Sequence, residues 1–418
     1  MTGVVGTLRS VARFGPVELR PAKRRLQRAA DVADLRRIAR RRLPRGIFDY
    51  IDGAAEDERT CRRNVAAFEE LELVPNVLRD VSTIDTTTTL LGRTLPFPLV
   101  LAPTGFTRIA DSEGELAVAR SAARHGLPYA LSTLSTRSIE EVAAVSDGPK
   151  WFQAYVWRDR GLVADMVARA AAEDYEALVI TVDTAVFGRR ERDVRRGYTL
   201  PPKLGPGTIV DGVLHPAWTR AFLTGGPITF ANVDTDALSG SGSAVVLADY
   251  INEQFDPALS WDDISWFRDR WAGPIVLKGI QSVSDAERAV EAGVEGIALS
   301  NHGGRQLDGA PAAIDLVEPV AQAVGGSVAI ICDGGVRRGS DVVKALALGA
   351  DACSIGRAYL YALGAAGEPG VDWVLDQFLA GMRRTMALCG RRSLAEIDRG
   401  LVRRRRSGRG PDGRAAAP

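Results

Sequence analysis

Eight short apolar runs constrain this chain more than any other feature: Leu99–Ala102, Tyr129–Leu131, Phe152–Val156, Leu178–Val182, Ile275–Leu277, Ile297–Leu299, Val328–Ile331 and Ala352–Ile355. Helical patterns come after most of them, at Glu113–Arg124, Ile139–Val145, Leu162–Glu173, Asp285–Ala292 and Asp341–Leu348. In the last of these, Val342, Val343, Leu346 and Ala347 make one apolar stripe at helical spacing. A buried strand leading into an amphipathic helix is the repeating unit of a parallel sheet, so eight units predict an α/β fold, a closed (β/α)8 TIM barrel. A doubly wound open sheet is the competing arrangement.

The flanks divide the 418 residues further. Residues 1–30 read as a basic arm, and 31–395 as the barrel with N-terminal helices at 31–70. Residues 396–418 read as a basic tail. Asp31 is placed to cap a helix running to Arg42, Pro44 opens a second that carries Tyr50, and a third runs through Phe68. The rhythm breaks once, at 184–260, after the fourth strand. Pro201, Pro202, Pro206, Pro216 and the Ser239–Ser243 run mark that interval as a long excursion above the barrel. Arginines crowd both ends, but no aromatic residues are interleaved to stack bases, so no nucleic-acid partner is expected. No apolar run approaches the ~20 residues of a membrane span. A cytoplasmic protein is expected, with a peripheral membrane contact or a lid as the use of an amphipathic patch at His215, Trp218 and Phe222. Cys61, Cys332, Cys353 and Cys389 are scattered, which predicts reduced structural thiols and no metal site.

In a barrel the chemistry lies where strands end. The sixth run breaks into Ser300-Asn301-His302-Gly303-Gly304-Arg305, joining a general base to a guanidinium fork suited to a carboxylate. Of three histidines only His302 stands at a strand end; His125 sits at a helix end and His215 in the excursion. The turns after the seventh and eighth runs, Asp333-Gly334-Gly335-Val336-Arg337 and Gly356-Arg357, offer glycine amides and guanidinium to a phosphate. Ser132, Gln153 and Thr181 are set to hydrogen-bond a flat polar ring, and Lys278 to supply positive charge beneath it. FMN meets all of these requirements.

These stretches, together with Leu43-Pro44, Ala102-Pro103-Thr104, Phe152-Gln153-Ala154-Tyr155, Thr181-Val182-Asp183-Thr184, Gly188-Arg189-Arg190 and Leu277-Lys278-Gly279, resemble the FMN-dependent 2-hydroxy-acid oxidase and dehydrogenase family. The resemblance runs from about Asp31 to Leu394 and is most specific at Ser300–Asp308. It implies that His302 takes the substrate hydroxyl proton. Arg305 and Arg190 clamp the carboxylate with help from Tyr50, and Tyr155 hydrogen-bonds the reacting oxygen. Lys278 stabilises reduced flavin, and Asp333 either orients His302 or holds the flavin loop. Pro103, Thr104, Gly105, Ser132, Gln153, Thr181, Lys278, Ser300, Asp333, Gly334, Gly335, Arg337, Gly356 and Arg357 surround the cofactor. Gly105 stands where many oxidases of the family carry alanine, which resembles dehydrogenases that reduce a quinone or cytochrome.

The expectation is an FMN-dependent L-2-hydroxy-acid dehydrogenase, L-lactate its substrate, passing electrons to a quinone or other carrier. The family also implies a homo-oligomer, a tetramer or larger. The alternatives are an oxygen-using oxidase or monooxygenase and, more remotely, a non-catalytic flavoprotein.

Overall fold

The computed structural model describes residues 18–196, 205–226, 228–233 and 253–405. The Ser239–Ser243 run lies outside them. Helix α1 (Pro21–Leu26) leads into α2 (Val32–Arg42), where the Asp31 carboxylate accepts from the Asp34 amide at 2.9 Å, as its position before the apolar stripe predicts. Val32, Leu35 and Ala39 bury one face of α2. Leu43, extended before proline, ends it, and Pro44 opens α3 (Arg45–Asp52); α4 (Arg59–Glu69) comes after. Strand β1 (Leu71–Leu73) is next, then a hairpin of β2 (Thr88–Leu90) and β3 (Arg93–Leu95) turned by Leu91 and Gly92, both at positive φ.

The eight expected runs form the barrel: β4 (Leu99–Leu101), β5 (Tyr129–Ser132), β6 (Lys150–Tyr155), β7 (Ala177–Thr181), β8 (Ile275–Ile280), β9 (Gly296–Ser300), β10 (Ala329–Asp333) and β11 (Ala352–Ile355). They pair in parallel in that order, and β11 pairs with β4 to close the ring. Helices alternate with them: α5 (Glu115–Arg124), α6 (Ile139–Ala144), α7 (Arg160–Ala172), then, in and after the excursion, α8 (Glu191–Arg196), α9 (Pro206–Leu214), α10 (Pro216–Thr224) and α11 (Asp262–Arg268). The last five are α12 (Val283–Glu291), α13 (Ala313–Val324), α14 (Gly339–Ala347), α15 (Arg357–Ala366) and α16 (Glu368–Leu388).

The two-residue period of a strand sorts side chains to opposite faces of the ring. Val100, Ala130, Trp151, Ala177, Val179, Val276, Ala298, Ile331 and Ala352 form an inner apolar layer, and the hairpin's Leu90 and Leu95 pack against it. Leu99, Leu131, Phe152, Leu178, Leu277, Leu299, Cys332 and Cys353 belong to the outer core shared with the helices. The parity that turns Ala130, Trp151, Val179, Val276, Ala298 and Ile331 inward also turns in the residue two positions later: Ser132, Gln153, Thr181, Lys278, Ser300 and Asp333. An apolar layer thus gives way to a polar one at the C-terminal end of the barrel.

Both outer boundaries differ from the sequence reading. The 1–30 arm is structured from Pro21, because Leu26 is buried and the Arg25 guanidinium donates to the Ala365 carbonyl. The tail does not begin at 396: β12 (Val402–Arg404) pairs antiparallel with β1, burying Leu401 and Val402. Arg403 and Arg404 cover that junction by pairing with Glu72 and Asp315. The density of arginines in both segments masks the few apolar residues that anchor them.

Candidate active site

The turn after β9 is braced from behind. The amides of Asn301 and Asn64 exchange two hydrogen bonds of 2.8 Å, and the Asn301 side chain also accepts from the Gly304 amide. His302, Gly303 and Gly304 are all left-handed, with φ of 57°, 64° and 76°. A Cβ on Gly304 would stand 2.6 Å from the Cys61 amide nitrogen, so glycine is required there.

The His302 Nδ1 lies 3.0 Å from Asp183 Oδ1, at the end of β7. A carboxylate there accepts the Nδ1 proton and leaves Nε2 as the basic nitrogen. Burial pushes His302 below its ordinary value, with Lys278 and Arg190 adding to the effect and Asp183 opposing it. Burial alone would raise Asp183, but His302 and Lys278 outweigh it and hold the carboxyl below its usual range. The pair is therefore neutral imidazole beside carboxylate at neutral pH, the state a general base requires.

Two guanidinium groups face this histidine across a cavity of about 610 Å3 that Tyr50, Tyr155, Arg190, Lys278, His302 and Arg305 all line. Arg305 Nη1 donates to the carbonyls of Tyr50 (2.7 Å) and Gly53 (3.1 Å), and its guanidinium lies 5.0 Å from the Tyr50 ring centre. Burial, then repulsion from Arg190, pulls Arg305 down to about 9, which still leaves it charged at neutral pH. Arg190 stands over the same ring at 5.9 Å, and its Nε is buried without a hydrogen-bond partner. Two half-buried cations in one cavity, with Asp193 the acid that acts on both, make a receptor for an anion.

Beneath them, Lys278 Nζ is 3.4 Å from Asp333 Oδ2, and Ser300 Oγ lies between, donating to Asp333 (2.7 Å) and accepting from Lys278 (3.2 Å). Removing one partner of so buried a pair costs roughly 3–5 kcal/mol. Asp333 therefore serves Lys278, and the reading in which it orients His302 is corrected: that carboxylate is Asp183. The sequence marks Asp183 only as a strand-end acid, and its partner stands two strands away in the ring, so spacing carries no signal for the pair. Ser132, Gln153 and Thr181 form a hydrogen-bonded row across β5, β6 and β7 (3.1 and 2.9 Å). With Ser300 they are buried and are not among the cavity's lining residues; Pro103, Thr104, Gly105, Asp333, Gly334, Gly335, Arg337, Gly356 and Arg357 are.

The two glycine turns differ. Asp341 accepts from the amides of both Arg337 and Arg338, so the start of α14 is already capped by its own side chain. Helix α15 has Gly356 at its N-cap and no side-chain cap, which leaves its first amides to an external anion. Arg357 is held by three carbonyls, Ile51, Gly303 and Gly53, whereas the buried Arg337 guanidinium donates to its neighbour Val336. Burial lowers Arg337 from its ordinary value. Gly335 is obligatory, since a Cβ would fall 1.9 Å from the Asn64 carbonyl oxygen. An uncapped helix start, a buried cation and close backbone approach fit a phosphate group.

The sequence profile of the FMN-dependent dehydrogenases matches residues 39–404. The chain belongs to this family. FMN is accordingly its cofactor, and the phosphate-shaped end of the cavity agrees. Among relatives, a putative L-lactate dehydrogenase of Mycobacterium tuberculosis is 45% identical over 394 residues, 94% of each chain. An L-lactate dehydrogenase of Allorhizobium ampelinum is 45% identical over 368 residues, 87% of this chain and 96% of that one. Among solved structures, the monotopic membrane protein (S)-mandelate dehydrogenase superposes with a TM-score of 0.86 at 38% identity, covering 90% of this chain and 99% of that one. A mandelate oxidase superposes at 0.76, also 38% identical, over 90% and 98%.

The family member has further groups that spacing did not reveal. Phe106 and Phe230 meet edge to face at 4.6 Å, and with Ile109, Ala110 and Leu134 they give the cavity an apolar wall. Phe230 comes from the excursion, whose α10 is tied down by Trp218 Nε1 donating to the Ile109 carbonyl.

Proposed function

We propose that this FMN-dependent dehydrogenase oxidises L-2-hydroxy acids, L-lactate to pyruvate foremost, and passes the electrons to a quinone or another carrier. The observation that carries the reading is His302, backed by Asp183, sharing one cavity with Arg190 and Arg305. A 2-hydroxy acid carries its hydroxyl one carbon from a carboxylate, which matches a base and a cation pair in one cavity. Arg305 and Arg190 hold the carboxylate, with the Tyr50 ring packed against both guanidinium groups. His302 Nε2 takes the hydroxyl proton, and Asp183 balances the charge that the imidazolium gains. The Tyr155 phenol, kept neutral because burial and then Asp183 push it well above its ordinary range, donates a hydrogen bond to the reacting oxygen. Bound FMN supplies the acceptor for the hydrogen and two electrons that leave the substrate carbon. Lys278, compensated by Asp333, supports the negative charge that reduction adds nearby. The names of the bacterial L-lactate dehydrogenase relatives support the substrate.

Mixing the FMN-loaded protein without oxygen against a panel of L-2-hydroxy acids should bleach the flavin, L-lactate acting among the fastest. A panel that leaves the colour untouched rejects the reaction. A quinone analogue should then restore the colour faster than air does. Gly105 bears on that order: alanine there would set its Cβ 3.0 Å from Leu134 Cβ, a contact the wall must shift by a few tenths of an ångström to take, so glycine is the easier fit.

A membrane-surface location is part of the same proposal. Ile209, Val210, Val213, Leu214 and Leu223 on α9 and α10 are exposed, as is Phe222 of the sequence-predicted patch, while Trp218 donates to the Ile109 carbonyl and His215 bonds to Asp211 one turn earlier. No helix among the described residues is long and apolar enough to cross a bilayer, so this face suits insertion into one leaflet. The monotopic relative supports it. The protein should float with liposomes in a density gradient, and a Val213→Glu, Leu223→Glu variant should stay below. Equal sedimentation of both forms without liposome recovery rules the contact out.

A further inference from the structure

Arg190 has an unusual problem of placement. Its guanidinium stands over the rings of Tyr50 (5.9 Å) and Phe187 (6.0 Å), its Nε is buried without a hydrogen-bond partner, and among the described residues its acidic neighbour Asp193 acts on it without forming a direct ion pair. Its position is therefore set by the backbone that carries it. That backbone is fixed at three points. The Gly188 amide donates to Gln306 Oε1 (3.0 Å), the Arg189 carbonyl accepts from the Glu56 amide (2.9 Å), and Arg192 reaches the acids of α3 and the turn beyond it. Arg192 Nη1 lies 2.8 Å from Asp52 Oδ2, and Nη2 lies 2.5 Å from Glu58 Oε2. Arg192 does not itself line the cavity.

We propose that Arg192 is a positioning residue for carboxylate binding: its forked ion pair to Asp52 and Glu58 holds the 188–193 segment over the site and so fixes Arg190. The inference rests on the reading of Arg190 as a carboxylate clamp. The joint is well chosen for this task. Asp52 is nearly fully buried and is also held by Arg36 and by the Tyr361 hydroxyl, so it is an immobile anchor. The next residue, Gly53, gives its carbonyl to both Arg305 and Arg357. One short stretch thus sets both substrate arginines in a common frame. Arg192 contributes at a distance, and a planar fork gripping two acids fixes direction in a way that a single charge does not.

The test is Arg192→Met in the FMN-loaded protein, read by calorimetric titration with oxalate and by steady-state kinetics. Loss of alignment should weaken oxalate binding ~10-fold or more and raise KM similarly, while kcat stays within ~3-fold and FMN content is unchanged. Arg192→Lys, which keeps the charge without the fork, should fall between the two. Asp52 keeps Arg36 in both variants, and if the methionine variant does not fold, the lysine variant carries the test. Oxalate affinity within ~2-fold of wild type in the folded variants overturns the proposal, as does a fall in kcat at unchanged KM. The oxalate titration does not depend on turnover. A wild-type protein that binds oxalate yet is bleached by no hydroxy acid defeats the proposed reaction and leaves this inference readable.

Discussion

His302→Gln is expected to retain FMN and to lower kcat by ~10²-fold or more, the usual contribution of a positioned general base. Glutamine can still donate to Asp183 from a similar reach, so the turn and the charge of the acid survive while the proton acceptor is lost. Its backbone must adopt the same left-handed conformation as His302, and both residues bear that strain alike. The phosphate-shaped end of the cavity lies on other turns, which is why cofactor content should hold. Anaerobic rates of flavin bleaching measure the effect directly, and bleaching at the wild-type rate would remove His302 from the chemistry.

Asp183→Asn should be nearly as damaging, by ~10²- to ~10⁴-fold in kcat, since an amide can present a donor to Nδ1, favour the wrong tautomer and leave the imidazolium uncompensated. It also has a signature in pH. The base works when neutral, so kcat/KM falls as pH drops through the His302 pKa. That pKa already lies below the ordinary ~6.5, because burial outweighs Asp183. Asp183 is the influence that raises it, and removing the carboxylate lowers it further. The acid limb of the profile should therefore lie below pH ~6.5 in the wild type and shift to still lower pH in the variant. A limb that moves upward contradicts the pairing.

The barrel was legible because each strand is a short apolar run ended by glycine or polar residues, and Ala352–Ile355 matches residue for residue. The site was legible for a related reason: strand ends hold the functional layer, so His302, Lys278, Asp333 and Arg357 could be found among the residues at or just past the end of each run. The hidden part depends on closure. Asp183 and His302 meet across β8, and the Arg192 anchor depends on a turn in the N-terminal helices. Neither pair has a spacing that sequence alone makes meaningful. Ser132, Gln153 and Thr181, which the sequence sets to hydrogen-bond a flat polar ring, instead spend hydrogen bonds on one another and stand outside the cavity lining.

The small sheet formed by β1 and β12 has a kinetic meaning. Glu72 and Arg403 are 331 positions apart, and β4 likewise needs β11, near the end of the barrel, to close the ring. At ~5–20 residues per second of synthesis, the first half of each pairing waits on the order of tens of seconds for the second. During that wait β4 has an unpaired edge and the apolar face of β1 lacks its cover. Assembly thus waits on contacts of long sequence separation, and the nascent protein carries these uncovered edges until Val402–Arg404 emerge.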